Sequence, residues 1–274
     1  MRTYRVTASA DISGETYESL LVKASKLDSL QLIDAAKKGA VWIQRQSRGK
    51  TLRLRTLSAF AAPNDLIILY FDSKVLSYPQ LNDAFCLGEN KNYGVWLKKA
   101  GVMAQGTQTG DHTSLLRFVE IKKNREAYLV HRIDRETEGL MVVGYTSEAA
   151  AKLSELFQKN VIHKTYQAIV LGEMESGLTR TIDDSLDGKE AKTHFRVLSA
   201  REGKSLLEVN IETGRLHQIR RHLDGIGFPV IGDPLYGKGN KNRDGLKLLA
   251  QALEFRDPWT REIVKFRLDS DLAL

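Results

Sequence analysis

From Tyr93 onward the chain is dominated by short stretches of strand character: Tyr93 to Lys98, Leu140 to Tyr145, Thr165 to Leu171, Thr193 to Leu198, Leu206 to Ile211, Lys247 to Phe255 and Ile263 to Leu268. Each is of strand length and rich in β-branched, aromatic or alternating apolar residues. Helical spacing interrupts them at Ser147 to Gln158, where Ala149, Leu153, Leu156 and Phe157 share one face, and again around residues 216–226. A doubly wound parallel sheet needs a helix between most pairs of strands. Too few helices intervene here, which predicts an α+β domain on a mixed, mostly antiparallel sheet.

The first third reads differently. Tyr17, Leu20, Leu21 and Ala24, then Leu30, Ile33 and Ala36, recur near helical spacing and predict two short helices, with Asp28 and Ser29 as caps between them and Gly39 as a stop. Strands are expected at Val41 to Arg45, Thr51 to Leu57 and Leu66 to Phe71. In the second of these, Leu52 and Leu54 point one way and Arg53 and Arg55 the other. Arg45, Arg48, Lys50, Arg53 and Arg55 thus gather around one turn as a candidate RNA-binding group, although a solvated strand face reads equally well from the charges alone. Pro79, Asn82 and Gly88 mark a connection. The expected organisation is a module over 1–75, a linker over 76–90 and a larger domain over 91–274.

Charge narrows the partner. Lys and Arg number 41 against 34 Asp and Glu, a formal charge of +7, which favours a polyanion such as nucleic acid. The single cysteine, Cys86, excludes an intramolecular disulfide framework and a Cys-rich zinc site, and is expected as a small core hydrophobe. No apolar run approaches a membrane span and residues 1–12 lack a secretory signal's apolar region, so a soluble, cytoplasmic monomer is expected.

Phosphate-loop, complete dinucleotide, serine-elbow and zinc-deaminase patterns are missing from the chain. His217 and His222 lie five apart on a helix and do not share a face, so neither metal nor cofactor is expected. Three segments carry chemistry. In HRIDRETEGL, residues 131–140, Asp134 stands between Arg132 and Arg135, whose charge keeps a carboxylate ionised, although surface ion clusters look the same. In HKTYQAIVLG, residues 163–172, Tyr166, Ala168 and Val170 share a face; Tyr166 is either a packing residue or a platform for a flat base. In TGRLHQIRRHLDGIGFPVIGDPLYG, residues 213–237, Leu216, Ile219, Leu223 and Ile226 form an apolar stripe, while Arg220 and Arg221 face different ways, one toward a carboxylate and one toward phosphate.

Taken in this order, the three segments resemble the motifs of the RluA-type pseudouridine synthases: HRIDRETEG is similar to H-R-L-D-R-x-T-S-G, KTYQAIVLG to K-x-Y-x-A, and GRLHQIRRHL to G-R-x-H-Q-I-R. The resemblance spans about residues 91–270. It implies a metal-free enzyme that isomerises uridine in structured rRNA or tRNA, on a sheet with a central cleft. It also implies Asp134 as the catalytic aspartate, Tyr166 stacked on the target base, Arg220 paired with Asp134, and Arg132 filling the gap left by a flipped base. Arg135, Arg215, His217 and Arg221 are the further candidates for substrate contact. Residues 12–72 resemble a degenerate S-four-like RNA-binding module. Two departures touch the cleft: Glu138 replaces a Ser, and KKAG, residues 98–101, replaces K-P-A-G. Glu138 would oppose ionisation of Asp134 unless a cation neutralises it. The rival readings are a catalytically silent RNA-binding protein and a hydrolase using Asp134 with Glu138.

Overall fold

A computed structural model describes residues 3–9, 14–45, 49–240, 242 and 244–274. Its contacts divide the chain into two units, Met1–Asp83 with Gln105–Lys123, and Ala84–Ala104 with Asn124–Leu274.

The first unit contains β1 (Thr3–Ser9), α1 (Tyr17–Ser25), α2 (Ser29–Lys37), β2 (Val41–Gln44), β3 (Thr51–Arg53), β4 (Leu66–Asp72) and α3 (Ser73–Ser77). Its sheet is antiparallel in the order β1-β4-β2-β3. Asp28 starts α2 with a reciprocal cap, accepting the Gln31 amide while the Gln31 side chain accepts the Asp28 amide. Tyr17, Leu21, Leu32, Ala35, Ile67 and Leu69 form the core. The inward face of α2 is therefore Leu32, Ala35 and Ala36, and Leu30, expected inside, is 79% exposed. Periodicity located the helix but placed its stripe too early.

The cationic strand face is also corrected. β3 ends at Arg53, Leu52 is exposed, and Leu54 packs on the core from outside any strand. Arg53 and Arg55 both pair with Asp111, at 3.0 and 2.5 Å, from the segment 105–123 of the same unit. Arg53 also donates to Gly39 and Thr107 carbonyls and lies over the Trp42 ring at 4.2 Å. Both guanidiniums serve as internal anchors. Arg45 and Lys50 are exposed, and Arg48 lies outside the described residues.

The second unit begins with β5 (Phe85–Glu89) and β6 (Tyr93–Lys98); after α4 (Leu115–Lys123), which belongs to the first unit, come β7 (Tyr128–Leu129), β8 (Glu138–Gly144), α5 (Ser147–Gln158), β9 (His163–Leu171), β10 (Thr179–Ile182), β11 (Thr193–Arg201), β12 (Lys204–Ile211), α6 (Gln218–Gly225), β13 (Leu248–Arg256) and β14 (Ile263–Arg267). The sheet runs β10-β11-β12-β9-β13-β8-β6-β5, with β14 on β13 and β7 on β8. Among the described strands the sole parallel pairing is β13 with β8, so the mixed, mostly antiparallel α+β expectation holds. Residues 85–89, expected within a linker, form the edge strand β5, and Cys86 there is half-buried rather than a core residue. A five-residue strand with an exposed Phe85 offers too little alternation to be recognised locally.

The centre of this sheet brings the motifs together. Ala250 of β13 faces Gly139 of β8 on one side and Tyr166 of β9 on the other. Gly139 is required there: its φ is +134°, and a Cβ would lie 2.3 Å from the Ala250 carbonyl oxygen. Alternation along β9 is as expected, but both faces are covered. Ala168 and Val170 pack with Ile219 and Leu223 of α6, and on the other side Gln167 donates to Asp271 and accepts the Leu272 amide.

Candidate active site

The segment 130–137 leads from β7 into β8 without regular structure and is held by backbone bonds. Arg135 and Gly101 exchange bonds, Gly101 N to Arg135 O at 2.8 Å and Arg135 Nε to Gly101 O at 3.0 Å. Lys98, fully buried, donates to the carbonyls of Val102, Arg135 and Lys99 at 2.8, 3.1 and 3.2 Å. Burial pulls its pKa down to about 8, against the pull of Glu136, Asp134 and Glu138. One ammonium thus ties two loops together and fixes the loop that carries Asp134.

Asp134 opens on a cleft lined also by Arg132, Thr137, Tyr166, Arg215, His217 and Arg220. Its Oδ2 accepts Arg220 Nη1 at 3.2 Å, and His217 Nε2 lies 3.9 Å from Oδ1. Arg220 is fully buried on α6, and its remaining edge is bidentate to Asp233, Nε to Oδ2 and Nη2 to Oδ1, both at 2.7 Å. Asp233 Oδ1 also accepts the amides of Leu235 and Tyr236, at 2.9 and 3.0 Å. Burial alone would raise the Asp233 pKa, but the Arg220 bonds and these two amides hold it below the usual carboxylate range. For Arg220, burial is outweighed by Asp233 and then Asp134, and its pKa rises. The expected pairing of Arg220 with Asp134 is present, with a second, more deeply buried carboxylate that the sequence reading missed. The signal was Asp-Pro in IGDPLYG, since an Asp before Pro readily caps the following turn.

Tyr166 lies in the cleft wall, half-buried, and burial followed by the Asp134 charge raises its hydroxyl pKa above the ordinary tyrosine value. His217, just before α6, is held at φ +52°, a left-handed conformation costly for a non-glycine residue, and its Nδ1 meets the Tyr236 hydroxyl at 3.1 Å. Tyr236 in turn packs under Arg220, 5.2 Å from ring centre to guanidinium.

Arg132 is exposed on the rim. Arg215 lines the cleft and donates to the Glu190 carbonyl at 2.8 Å. Two further candidates sit outside the cleft wall, and the placement of Leu216 is corrected. Arg221 gives both ends of its fork to Asp187, at 2.9 and 3.0 Å, and does not line the cleft. Arg135 is exposed beside Gly101 and does not line it either. Leu216 is 61% exposed, because α6 begins only at Gln218, so it is not part of the apolar stripe. Glu138 is half-buried and accepts the Ala100 amide at 3.4 Å, with its charge acting on the buried Lys98 ammonium. No group of His, Cys, Asp or Glu suited to a metal stands among the described residues, and no helix among them is long and apolar enough to cross a membrane.

His131 sits one residue before Arg132, stacked on Phe157 with ring centres 4.0 Å apart. Its Nε2 accepts the Val142 amide at 2.9 Å, which requires an unprotonated Nε2. Burial, and then nearby Lys164, bring its pKa down to about 3. A histidine kept neutral on folding contributes stability above its unfolded pKa and loses it as pH falls toward the folded value. Urea unfolding from about pH 8 to about pH 5.5 should therefore cost the parent roughly 1.4 kcal/mol more than His131→Gln, which keeps an acceptor for Val142 and has no proton to bind. Equal pH dependence in the two proteins would refute a neutral His131.

A carboxylate paired with a buried guanidinium, with a tyrosine in the same cleft wall and a basic rim, has the groups needed to attack or deprotonate a sugar while a flat base rests nearby. The RNA pseudouridylate synthase family model matches residues 92–224. The ribosomal large subunit pseudouridine synthase D of Xanthomonas campestris pv. campestris is 31% identical over 248 residues, 79% of this chain and 71% of that protein. An uncharacterized RNA pseudouridine synthase of Chloroflexus aurantiacus is 41% identical over 121 residues, 40% of this chain; the match spans 38% of that relative's length. Among solved structures, human RNA pseudouridylate synthase domain containing 4 is similar at a TM-score of 0.55 and 25% identity, over 67% of this chain and 87% of that one. With three ordered motifs meeting at one cleft and a relative matched over most of its length, the chain belongs to the RNA pseudouridylate synthase family, in its RluA-type branch.

Proposed function

We propose that this chain isomerises uridine to pseudouridine in structured RNA, ribosomal or transfer, with Asp134 as the catalytic residue. The observation that carries the reading is the Asp134–Arg220–Asp233 arrangement: a part-exposed carboxylate at the cleft, anchored from behind by a guanidinium whose second partner is wholly buried. The reaction detaches uracil from C1′ of its ribose, turns it in place and rejoins it through carbon 5. Asp134 serves that sequence either by attacking C1′ or by removing the 2′ proton, and both start from the ionised carboxylate. Arg220 does not reach solvent and acts through Asp134, which makes it a positioning residue. Arg132, on the rim, is read as the group that fills the gap left by the flipped uridine, and Arg215 and His217 as its neighbours on the substrate side. Arg45 and Lys50 of the first unit are read as RNA contacts of an S-four-like module, while Arg53 and Arg55 are committed to Asp111.

The test is conversion of unmodified large-subunit rRNA and tRNA transcripts, mapped by carbodiimide primer extension, with the same sites missing from the RNA of a deletion strain. No new pseudouridine in any transcript would end this reading. Tyr166→Phe keeps the stacking face and loses the hydroxyl. It should bind RNA within about twofold of the parent and turn over at least about 100-fold more slowly in single-turnover assays, the range of lost acid–base assistance. An unchanged rate would limit Tyr166 to packing.

A further inference from the structure

Beside the reaction cleft, and sharing Arg132, Tyr166, Gly214 and Arg215 with it, runs a second groove of about 510 Å³, against about 90 Å³ for the cleft. Its remaining wall includes His131, Phe157 and Lys164. Lys164, on β9 two residues before Tyr166, is only 7% exposed, yet its ammonium has no hydrogen-bond or ion-pair partner among the described residues. Its stem is buried while the ammonium itself reaches the groove, and the partial desolvation lowers its pKa. None of the described residues lining the groove is acidic, and His131 is held neutral by the Val142 amide. Lys164, Arg132 and Arg215 therefore line one open groove with no acidic residue among the described residues of its wall.

We propose that this groove carries the RNA strand next to the target nucleotide, with Lys164 ligating a backbone phosphodiester. The inference rests on the proposed RNA substrate and adds where the strand leaves the cleft. A phosphodiester matches a site that is cationic and continuous with the place where a base enters, and an enclosed pocket for free phosphate would not need that continuity. Lys164 would thereby tie strand position to Tyr166, since both side chains stand on β9.

The experiment compares the parent with Lys164→Met and Lys164→Arg by fluorescence anisotropy on labelled poly(U) and on the rRNA transcript, across a salt series. Lys164→Met should weaken binding about tenfold, the loss of one charge-assisted bond. Its log affinity against log salt should flatten by about 0.7 on a single strand. Its thermal midpoint should equal or exceed the parent's, because a partly desolvated ammonium with no partner in the free protein is replaced by an apolar chain on the same stem, and Lys164→Arg should keep most of the slope. Parent-like affinity and slope in Lys164→Met overturn the proposal. So does a lowered thermal midpoint in both variants with an unchanged slope, which makes Lys164 a packing residue, or inorganic phosphate competing as well as poly(U), which makes the site one for the free ion. Pseudouridine formation by the parent is scored in parallel. If the parent converts no uridine, the synthase reading fails, while the Lys164 slope on poly(U) still decides the strand site.

Discussion

Asp134→Asn should abolish pseudouridine formation, by at least about 10³-fold in single turnover, while leaving RNA affinity within a few-fold. The substitution is nearly isosteric, and its remaining oxygen can still accept Arg220 Nη1, 3.2 Å away in the parent. Asp134 is also 20% exposed at the side chain, so the loss of its charge should cost little stability. What disappears is the anionic oxygen that either begins a bond to C1′ or takes the 2′ proton. Equal turnover by parent and variant would remove Asp134 from the chemistry, and unchanged RNA binding in the inactive variant excludes misfolding as the cause.

Arg220→Leu should eliminate activity and lower unfolding stability by about 3 to 5 kcal/mol, the range for leaving one partner of a buried pair uncompensated. The charge stranded by this change is principally Asp233, whose side chain is 0% exposed, and only secondarily Asp134. Stability should therefore return largely in Arg220→Leu/Asp233→Asn and only slightly in Arg220→Leu/Asp134→Asn, with activity absent from both. The pH dependence separates the proteins further. In the parent, Asp233 has a depressed pKa, so its contribution is complete above the unfolded carboxylate pKa and is lost as pH falls through the folded value. Without Arg220 the buried carboxyl favours its protonated form, so the variant should gain stability relative to the parent as pH falls. A single variant with the parent's urea midpoint at neutral pH would show that the guanidinium does not bear on either carboxylate.

Much of the second unit is legible locally. Thr146 followed by Ala149, Leu153 and Leu156 specifies α5 to its ends, because a side-chain cap and an apolar stripe are both encoded within a few residues. Strands β6, β9, β12 and β13 are found within one or two residues for the same reason. The strands missed, β1, β5, β7 and β10, lie on the edges of their sheets or are two to seven residues long, and acquire their strand form from a neighbour; helices α3 and α4 were not expected either. Lys98 is, in the sequence, one of two adjacent lysines in KKAG. Nothing local says that a lysine will be buried against three carbonyls.

By itself the sequence determined the reagents: a carboxylate among arginines, a tyrosine on a strand and an arginine on an amphipathic helix, in an order that identifies the family. It also located the apolar face of α5, because periodicity is a property of neighbours along the chain, whereas packing decided that Leu30, Leu52 and Leu216 stay outside. The tertiary structure alone decided partners. Arg220 and Asp134 are 86 residues apart, and which of two adjacent arginines reaches that carboxylate depends on how α6 docks against β9 and β11. Arg220 is turned inward to Asp134 and Asp233, and Arg221 outward to Asp187. The same holds for Arg53 and Arg55, both drawn onto Asp111 from a later segment. Charge is read from composition, but whether a charge is free for a ligand depends on what long-range folding brings within about 4 Å of it.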